Sequence, residues 1–273
     1  MFTSKKPIAI SNNQKLEARV ANSKIYAEGI TKVYRSKKGE TVAIQEANLE
    51  ILENEFISIV GPSGCGKSTL LRILAGLDEF TAGTMILNDR PINGPGADRG
   101  MVFQSYTLFP WLTVEENIRF GLDIKKMPRN QAQEIVDRYL EVIKLTAFRK
   151  SYPKELSGGM KQRVAIARAL ANSPEVLLMD EPFGALDSQT KTEMQVLMRE
   201  IWKIERPTVI FITHDIEEAV FLSTRIYVMS GRPSVIKANI PILLPYERKL
   251  ELKDTPEFIH LRRRITGMLH EEA

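Results

Sequence analysis

Phe56-Ile57-Ser58-Ile59-Val60-Gly61-Pro62-Ser63-Gly64-Cys65-Gly66-Lys67-Ser68-Thr69 decides the fold of this 273-residue chain. The first five residues are an apolar run of the length expected for a strand buried on both faces. The next nine fit GxxxxGK[ST], and helical spacing begins at Lys67. A strand, a glycine-rich loop and a helix in that order predict a phosphate-binding loop. Gly61, Gly64 and Gly66 let backbone N–H groups converge on phosphate oxygens, and the helix presents its positive end. Lys67 supplies a point charge and Ser68 can ligate Mg²⁺, while Pro62, Ser63, Cys65 and Thr69 complete the loop. Cys65 contributes through its backbone, and its nearness to a helix end predicts a reactive thiol.

Working outward, residues 176–179, 209–212 and 226–229 are further short apolar runs of the parallel-sheet kind. Residues 67–75, 161–171 and 190–204 have helical spacing, so the order is α/β with crossover helices. Residues 24–30 and 42–51 read as strands around a charged turn and predict an antiparallel β edge. A long insertion, about residues 106–160, contains a helical stretch over 129–144 and reads as an inserted helical subdomain. The expected organisation is a flexible leader over 1–23, the main domain over 24–240 and a tail over 241–273. In that tail Phe258, Leu261, Ile265 and Leu269 recur at helical spacing around Arg262, Arg263 and Arg264. That pattern is an amphipathic basic helix, which can pack on its own domain or meet lipid.

Hydrophobic residues make up 43% of the chain and charged residues 26%, which excludes disordered, collagen-like and disulfide-scaffold classes. No apolar stretch approaches the ~20 residues of a membrane span. The amino terminus has no apolar segment after its lysines, so a cytosolic location is expected. A single cysteine cannot form an internal disulfide. The net charge of +4 favours anionic partners without choosing among them.

Two further elements carry chemistry. The run at 176–179 ends in Asp180 and Glu181, where Asp180 can hold Mg²⁺ through water and Glu181 can deprotonate an attacking water. Leu156-Ser157-Gly158-Gly159-Met160-Lys161-Gln162-Arg163 opens a helix with a hydroxyl and exposed N–H donors, a second anion site. This stretch resembles the signature motif of the ATP-binding cassette (ABC) ATPases. Gln104, Asp187 in Gly184-Ala185-Leu186-Asp187, and His214 stand in the order of that family's remaining motifs.

The resemblance implies a P-loop NTPase core that binds ATP and Mg²⁺ and works as a head-to-tail dimer with a second ATPase subunit, identical or a close paralogue. It implies that Ser157, Gly158 and Gly159 meet the nucleotide held by the other subunit's Lys67, and that Asp187 stands in the D-loop and takes part in nucleotide binding. Tyr34 takes the place of the aromatic that stacks on adenine, Gln104 that of a contact to Mg²⁺ and water, and His214 that of the γ-phosphate contact that positions Glu181. A strand-end tyrosine can also be packing, and Ser157 can also be a simple N-cap.

Ser105-Tyr106-Thr107-Leu108-Phe109-Pro110-Trp111-Leu112 is an apolar loop that can be buried against the helical insertion. In transporter cassettes, this region forms the groove for a coupling helix of the membrane subunit. Residues 214–222 and 256–258 resemble the nitrate, sulfonate, taurine and bicarbonate importer branch. The expectation is an ATPase subunit of a small-anion importer, peripheral to the cytoplasmic face of the inner membrane. Its partners would be transmembrane permease subunits and, indirectly, a substrate-binding protein, with no nucleic acid. A non-transport ABC ATPase of repair or translation is the alternative.

Overall fold

The computed structural model describes residues 20–37 and 39–270. Most of the leader expected over residues 1–23 lies outside the described residues. The strands are β1 (Ile25–Ser36), β2 (Gly39–Ile51), β3 (Phe56–Val60), β4 (Ala82–Leu87), β5 (Arg90–Pro91), β6 (Arg99–Val102), β7 (Val176–Asp180), β8 (Thr208–Ile212), β9 (Arg225–Met229) and β10 (Ile236–Pro241). The α-helices are α1 (Lys67–Leu74), α2 (Val114–Ile124), α3 (Arg129–Val142), α4 (Gly158–Ala171), α5 (Ser188–Glu205), α6 (Ile216–Leu222) and α7 (Pro256–His270).

The main sheet has the order β10-β9-β3-β8-β7-β6, parallel throughout except for β10. Its central strands read as unbroken apolar runs because helices or a second sheet cover both faces. Alternate residues of one strand therefore serve two cores. Phe56 and Val60 join Phe211, Met179 and the helices α2 to α7, whereas Ile57 and Ile59 join α1 and the antiparallel strands. Ser58, fully buried between them, is satisfied by a 2.5 Å hydrogen bond from Ser223 Oγ.

The antiparallel strands form a sheet of their own, in the order β2-β1-β4-β5, linked to the main domain through the bridge Ile44–Ser234. Its hairpin is longer than the expected 24–30 and 42–51 segments. Pairing continues to Ser36–Gly39 through residues whose exposed, polar side chains hide the strand from a hydropathy reading.

The inserted region contains α3, as expected, and α2, which was not. Thr113 caps α2 by accepting from the Glu116 N–H, while Glu116 Oε2 accepts from the Thr113 N–H. In the tail, Phe258 and Ile265 are fully buried, so α7 packs on its own domain, the first of the two alternatives. Arg248 and Arg199 donate to the carbonyls of Val220, Phe221 and Leu222, closing the C-terminus of α6. Among the described residues, no helix is long and apolar enough to cross a membrane.

Candidate nucleotide-binding site

The loop after β3 turns through two left-handed glycines, Gly64 (φ 72°) and Gly66 (φ 118°). Gly66 also needs its lack of a side chain, since a Cβ there would lie 3.3 Å from the Ala43 carbonyl and 3.4 Å from Ser234 Oγ. Lys67, at the first turn of α1, points back into the loop. Its buried Nζ donates to the carbonyls of Gly61 and Pro62, each at 2.9 Å.

Cys65 departs from expectation. The thiol is 2% exposed and packs beneath the start of the loop, where a Cβ on Gly61 would lie 2.9 Å from its Sγ. Burial raises its pKa against the opposing charge of Lys67. The reactive thiol predicted from a helix end is thus a buried, protonated one: desolvation outweighs the dipole, and Cys65 serves the loop through its backbone.

Parallel pairing of β8 with both β3 and β7 brings the ends of these strands together. Ser68 Oγ donates to Asp180 Oδ1 at 2.8 Å across 112 residues of sequence. Burial holds the Asp180 carboxyl above its ordinary range, a rise opposed by the Ser68 bond and Lys67 and increased by Glu181. One step on, Glu181 adopts φ 42°, a strained conformation for a residue with a side chain, of the kind that gathers at functional sites. Its N–H donates to Ile212 O at 3.0 Å, and its carbonyl accepts from Gly184 N–H at 3.1 Å, which fixes the turn.

The Glu181 side chain turns toward the end of β8, where His214 Nδ1 lies 3.0 Å from Glu181 Oε2. A carboxylate only accepts, so the hydrogen is assigned to Nδ1 and Nε2 is left for a further group. Gln104 joins from the other side. A Cβ on Gly184 would lie 3.7 Å from Glu181 Oε2 and 3.9 Å from Gln104 Nε2, so the glycine leaves room for both.

Lys67, Ser68, Asp180, Glu181, His214 and Gln104 therefore form one cluster at the ends of β3, β7, β8 and β6. Ser157, Gly158, Gly159 and Asp187 form another. Ser157 caps α4, accepting from Met160 N–H at 3.3 Å, and Asp187 caps α5, accepting from Thr190 N–H at 3.0 Å; the Thr190 side chain first, and this N–H with it, lower the Asp187 carboxyl pKa. The two helix starts touch: a Cβ on Gly159 would overlap the Thr190 methyl, and one on Gly158 would lie 2.9 Å from Tyr106 Oη. Among the described residues, none of these four hydrogen-bonds to the phosphate loop. Tyr34 projects from β1 with 43% of its surface exposed and Lys32 Nζ 4.9 Å from its ring centre, an open face suited to stacking.

Next to the cluster, the 105–112 loop borders a groove of about 540 Å³ lined by Met101, Phe103, Phe109, Phe120, Ile124 and Arg168, among others. Phe109 packs at a tilt of 44° against Phe120 with ring centres 4.4 Å apart, whereas Trp111 is 70% exposed. Arg168 donates to the Thr107 carbonyl and hydroxyl at 2.8 and 3.0 Å, and fully buried Asn117 staples residues 109–113. Arg168, Asn117, Gly184 and Glu218, described below, are residues that sequence reasoning did not single out. The Thr113-x-x-Glu116 capping pattern was the one local signal for the helix that carries Asn117.

Chemically, the arrangement suits a polyphosphate: an ammonium at its centre, hard oxygen donors beside it and a carboxylate–imidazole pair at the edge. That combination defines a nucleotide-hydrolysing P-loop protein. The particular branch follows from comparison: residues 44–184 match the family model described as ABC transporter, and the chain belongs to that family as an ATP-binding ATPase subunit. It is similar to the nitrate import ATP-binding protein NrtD of Synechocystis sp., 48% identical over 88% of this chain and 92% of that one. It is also similar to the aliphatic sulfonates import ATP-binding protein SsuB of Bacillus cereus, 44% identical over 86% and 92%. Among solved structures, a dimeric ATP-binding cassette in a post-hydrolysis state bound to ADP and Pi superposes with a TM-score of 0.70. It is 34% identical and covers 81% of this chain and all of its own.

Proposed function

We propose that this chain energises an ABC importer for a small oxyanion of the nitrate or sulfonate kind. The observation that carries this reading is the pairing of His214 with Glu181 beside the Ser68–Asp180 bond, on a chain that resembles nitrate and sulfonate import subunits over most of its length.

In this reading ATP lies along the loop 61–69, with Tyr34 against adenine and Lys67 exchanging its loop carbonyls for phosphate oxygens. Glu181 accepts a proton from the attacking water, and His214 holds Glu181 in place while Nε2 faces the γ-phosphate. The adjacent oxygens of Ser68 and Asp180, with Gln104 nearby, are the hard donors that Mg²⁺ takes. When bound, the ion neutralises charge on the transferring phosphate.

Ser157, Gly158, Gly159 and Asp187 stand apart from the loop of their own chain, which suits contact with nucleotide on a second ATPase subunit. The dimeric cassette among the similar structures supports that arrangement. The groove beside Phe109 and Trp111 suits a short helix of a permease subunit. Docking there would hold this chain at the cytoplasmic face of the membrane, and a substrate-binding protein would act through that permease.

The test uses Glu181→Gln and Trp111→Ser. Glu181→Gln is expected to keep ATP binding, lower turnover by ~10² to 10⁴ and accumulate an ATP-bound dimer visible by light scattering. Trp111→Ser is expected to keep ATP turnover in solution and lose attachment to membranes that contain the permease. Normal turnover in the first variant overturns the catalytic assignment. Normal attachment in the second overturns the docking surface.

A further inference from the structure

The loop that carries His214 is bonded to a buried carboxyl outside the nucleotide cluster. Glu218, on the first turn of α6, is 3% exposed. Its Oε2 accepts from Thr213 Oγ1 at 2.5 Å and its Oε1 from Gln195 Nε2 at 3.4 Å. Its N–H donates to Asp215 Oδ1 at 3.1 Å, and the Asp215 N–H donates to Thr213 Oγ1 at 3.0 Å. Both neighbours of His214 are thereby closed into one ring of bonds, while the imidazole reaches out to Glu181, its one side-chain partner among the described residues.

Packing does not require an acid at this position, since burying a carboxyl costs stability that an apolar side chain would not forfeit. What an acid adds is a double acceptor that fixes the Thr213 hydroxyl and the Gln195 amide together. The support continues outward: Gln195 Oε1 accepts from Lys253 Nζ at 2.9 Å, and Lys253 lies 3.0 Å from Glu217, which Arg262 of α7 also meets at 3.2 Å. The charged groups around Glu218 are thus Asp215 on its own loop, Lys191 of α5 at 3.4 Å from Asp215, and the Lys253–Glu217–Arg262 group of the tail.

We propose that Glu218 is a positioning residue for His214: by holding Thr213 and Asp215 it fixes the imidazole against Glu181, and through Gln195 it ties this loop to the C-terminal segment. The inference rests on the reading of His214 given above.

The test is a double-mutant cycle on the full-length chain. Glu218→Ala is expected to lower kcat by about tenfold or more with the KM for ATP changed by less than about twofold, since misplacing a positioned group costs turnover rather than binding. Glu218→Gln, which keeps an acceptor and the side-chain length, is expected to recover most of that loss. In a His214→Ala background, Glu218→Ala is expected to cost less than about twofold, because the group it positions is gone. A folded Glu218→Ala enzyme with normal kcat, or full additivity with His214→Ala, overturns the proposal. If His214→Ala alone leaves kcat unchanged, the role of His214 fails instead, a result distinct from the first two. If Glu218→Ala does not fold, Thr213→Val, an isosteric change, removes the bond to Glu218 together with the one from the Asp215 N–H and is read in the same way.

Discussion

Asn117 holds Phe109 by both ends of its peptide: Oδ1 accepts from the Phe109 N–H at 2.9 Å, and Nδ2 donates to the Phe109 carbonyl at 3.2 Å. The same amide also donates to the carbonyls of Leu112 and Thr113, each at 3.0 Å. The apolar loop is therefore a fixed part of the surface, shaped by one side chain on α2.

Asn117→Ala should leave the Phe109 amide and the Leu112 carbonyl short of partners, while the Phe109 and Thr113 carbonyls keep the N–H groups of Leu112 and residue 117, at a cost of about 1 to 3 kcal/mol. Asn117→Asp keeps the acceptor but turns a buried carboxylate oxygen toward carbonyl oxygens, so it should melt lowest of the three. Thermal melts of the three proteins check the order. Attachment to permease-containing membranes should weaken in Asn117→Ala more than ATP affinity does.

Glu181 carries its side chain at positive φ, and that strain predicts an inversion of the usual order of helix- and loop-interior substitutions. Glu181→Gly should melt above Glu181→Ala by the equivalent of about 1 kcal/mol, because only glycine occupies this region without penalty. Both variants should be inactive. A lower melt for the glycine variant would show that the φ of residue 181 relaxes when its side chain is removed.

Cys65 should react slowly with a thiol reagent in the native protein and at once in urea, given its burial and raised pKa. Saturating ATP should not alter the native rate, since the thiol is packed in the core with Ile57, Ile59 and Leu70. Strong protection by nucleotide would mean that Sγ lines the site.

Burial raises the Glu218 carboxyl from an ordinary 4.5 to about 7, against the bonds from Thr213 and Gln195. Between those values the folded chain holds a proton that the unfolded chain releases. The stabilisation is therefore complete below about pH 4.5 and lost as pH rises through about 7. The melting temperature of the wild-type protein relative to Glu218→Gln should fall as pH is raised across this window. A constant difference would place the Glu218 pKa near its unfolded value.

Much of this architecture is legible along the chain because its strongest signals are local. Residues 56–60, 176–180, 208–212 and 225–229 are dense apolar runs, and the phosphate loop is a contiguous pattern. The strand Arg99–Val102 escapes because Arg99 and Gly100 break any run, and it lies at the sheet edge, where one partner suffices. Helix α2 escapes because a buried polar residue, Asn117, interrupts its apolar stripe. Arg168, and the role of Gly184 beyond its place in the stretch that ends in Asp187, escape for a different reason. Arg168 acts on Thr107, 61 residues away, and Gly184 matters for the space it leaves between Glu181 and Gln104. Such roles exist only once distant segments have met.

The order of strands in the main sheet bears on how the chain is made. β8 pairs with β3 on one side, Phe56 against Val209, and with β7 on the other, Leu177 against Val209. The strand that joins the phosphate loop to Asp180 and Glu181 is thus one that leaves the ribosome after both. A nascent chain that ends before residue 208 has every residue of the loop and both acids, yet lacks the strand between β3 and β7 and has only the packing of α1 on β7 to bring Ser68 to Asp180. Nucleotide can therefore reward folding fully only once β8 has been made, and fragments that stop earlier are expected to be substrates for chaperones or proteases that ATP cannot rescue.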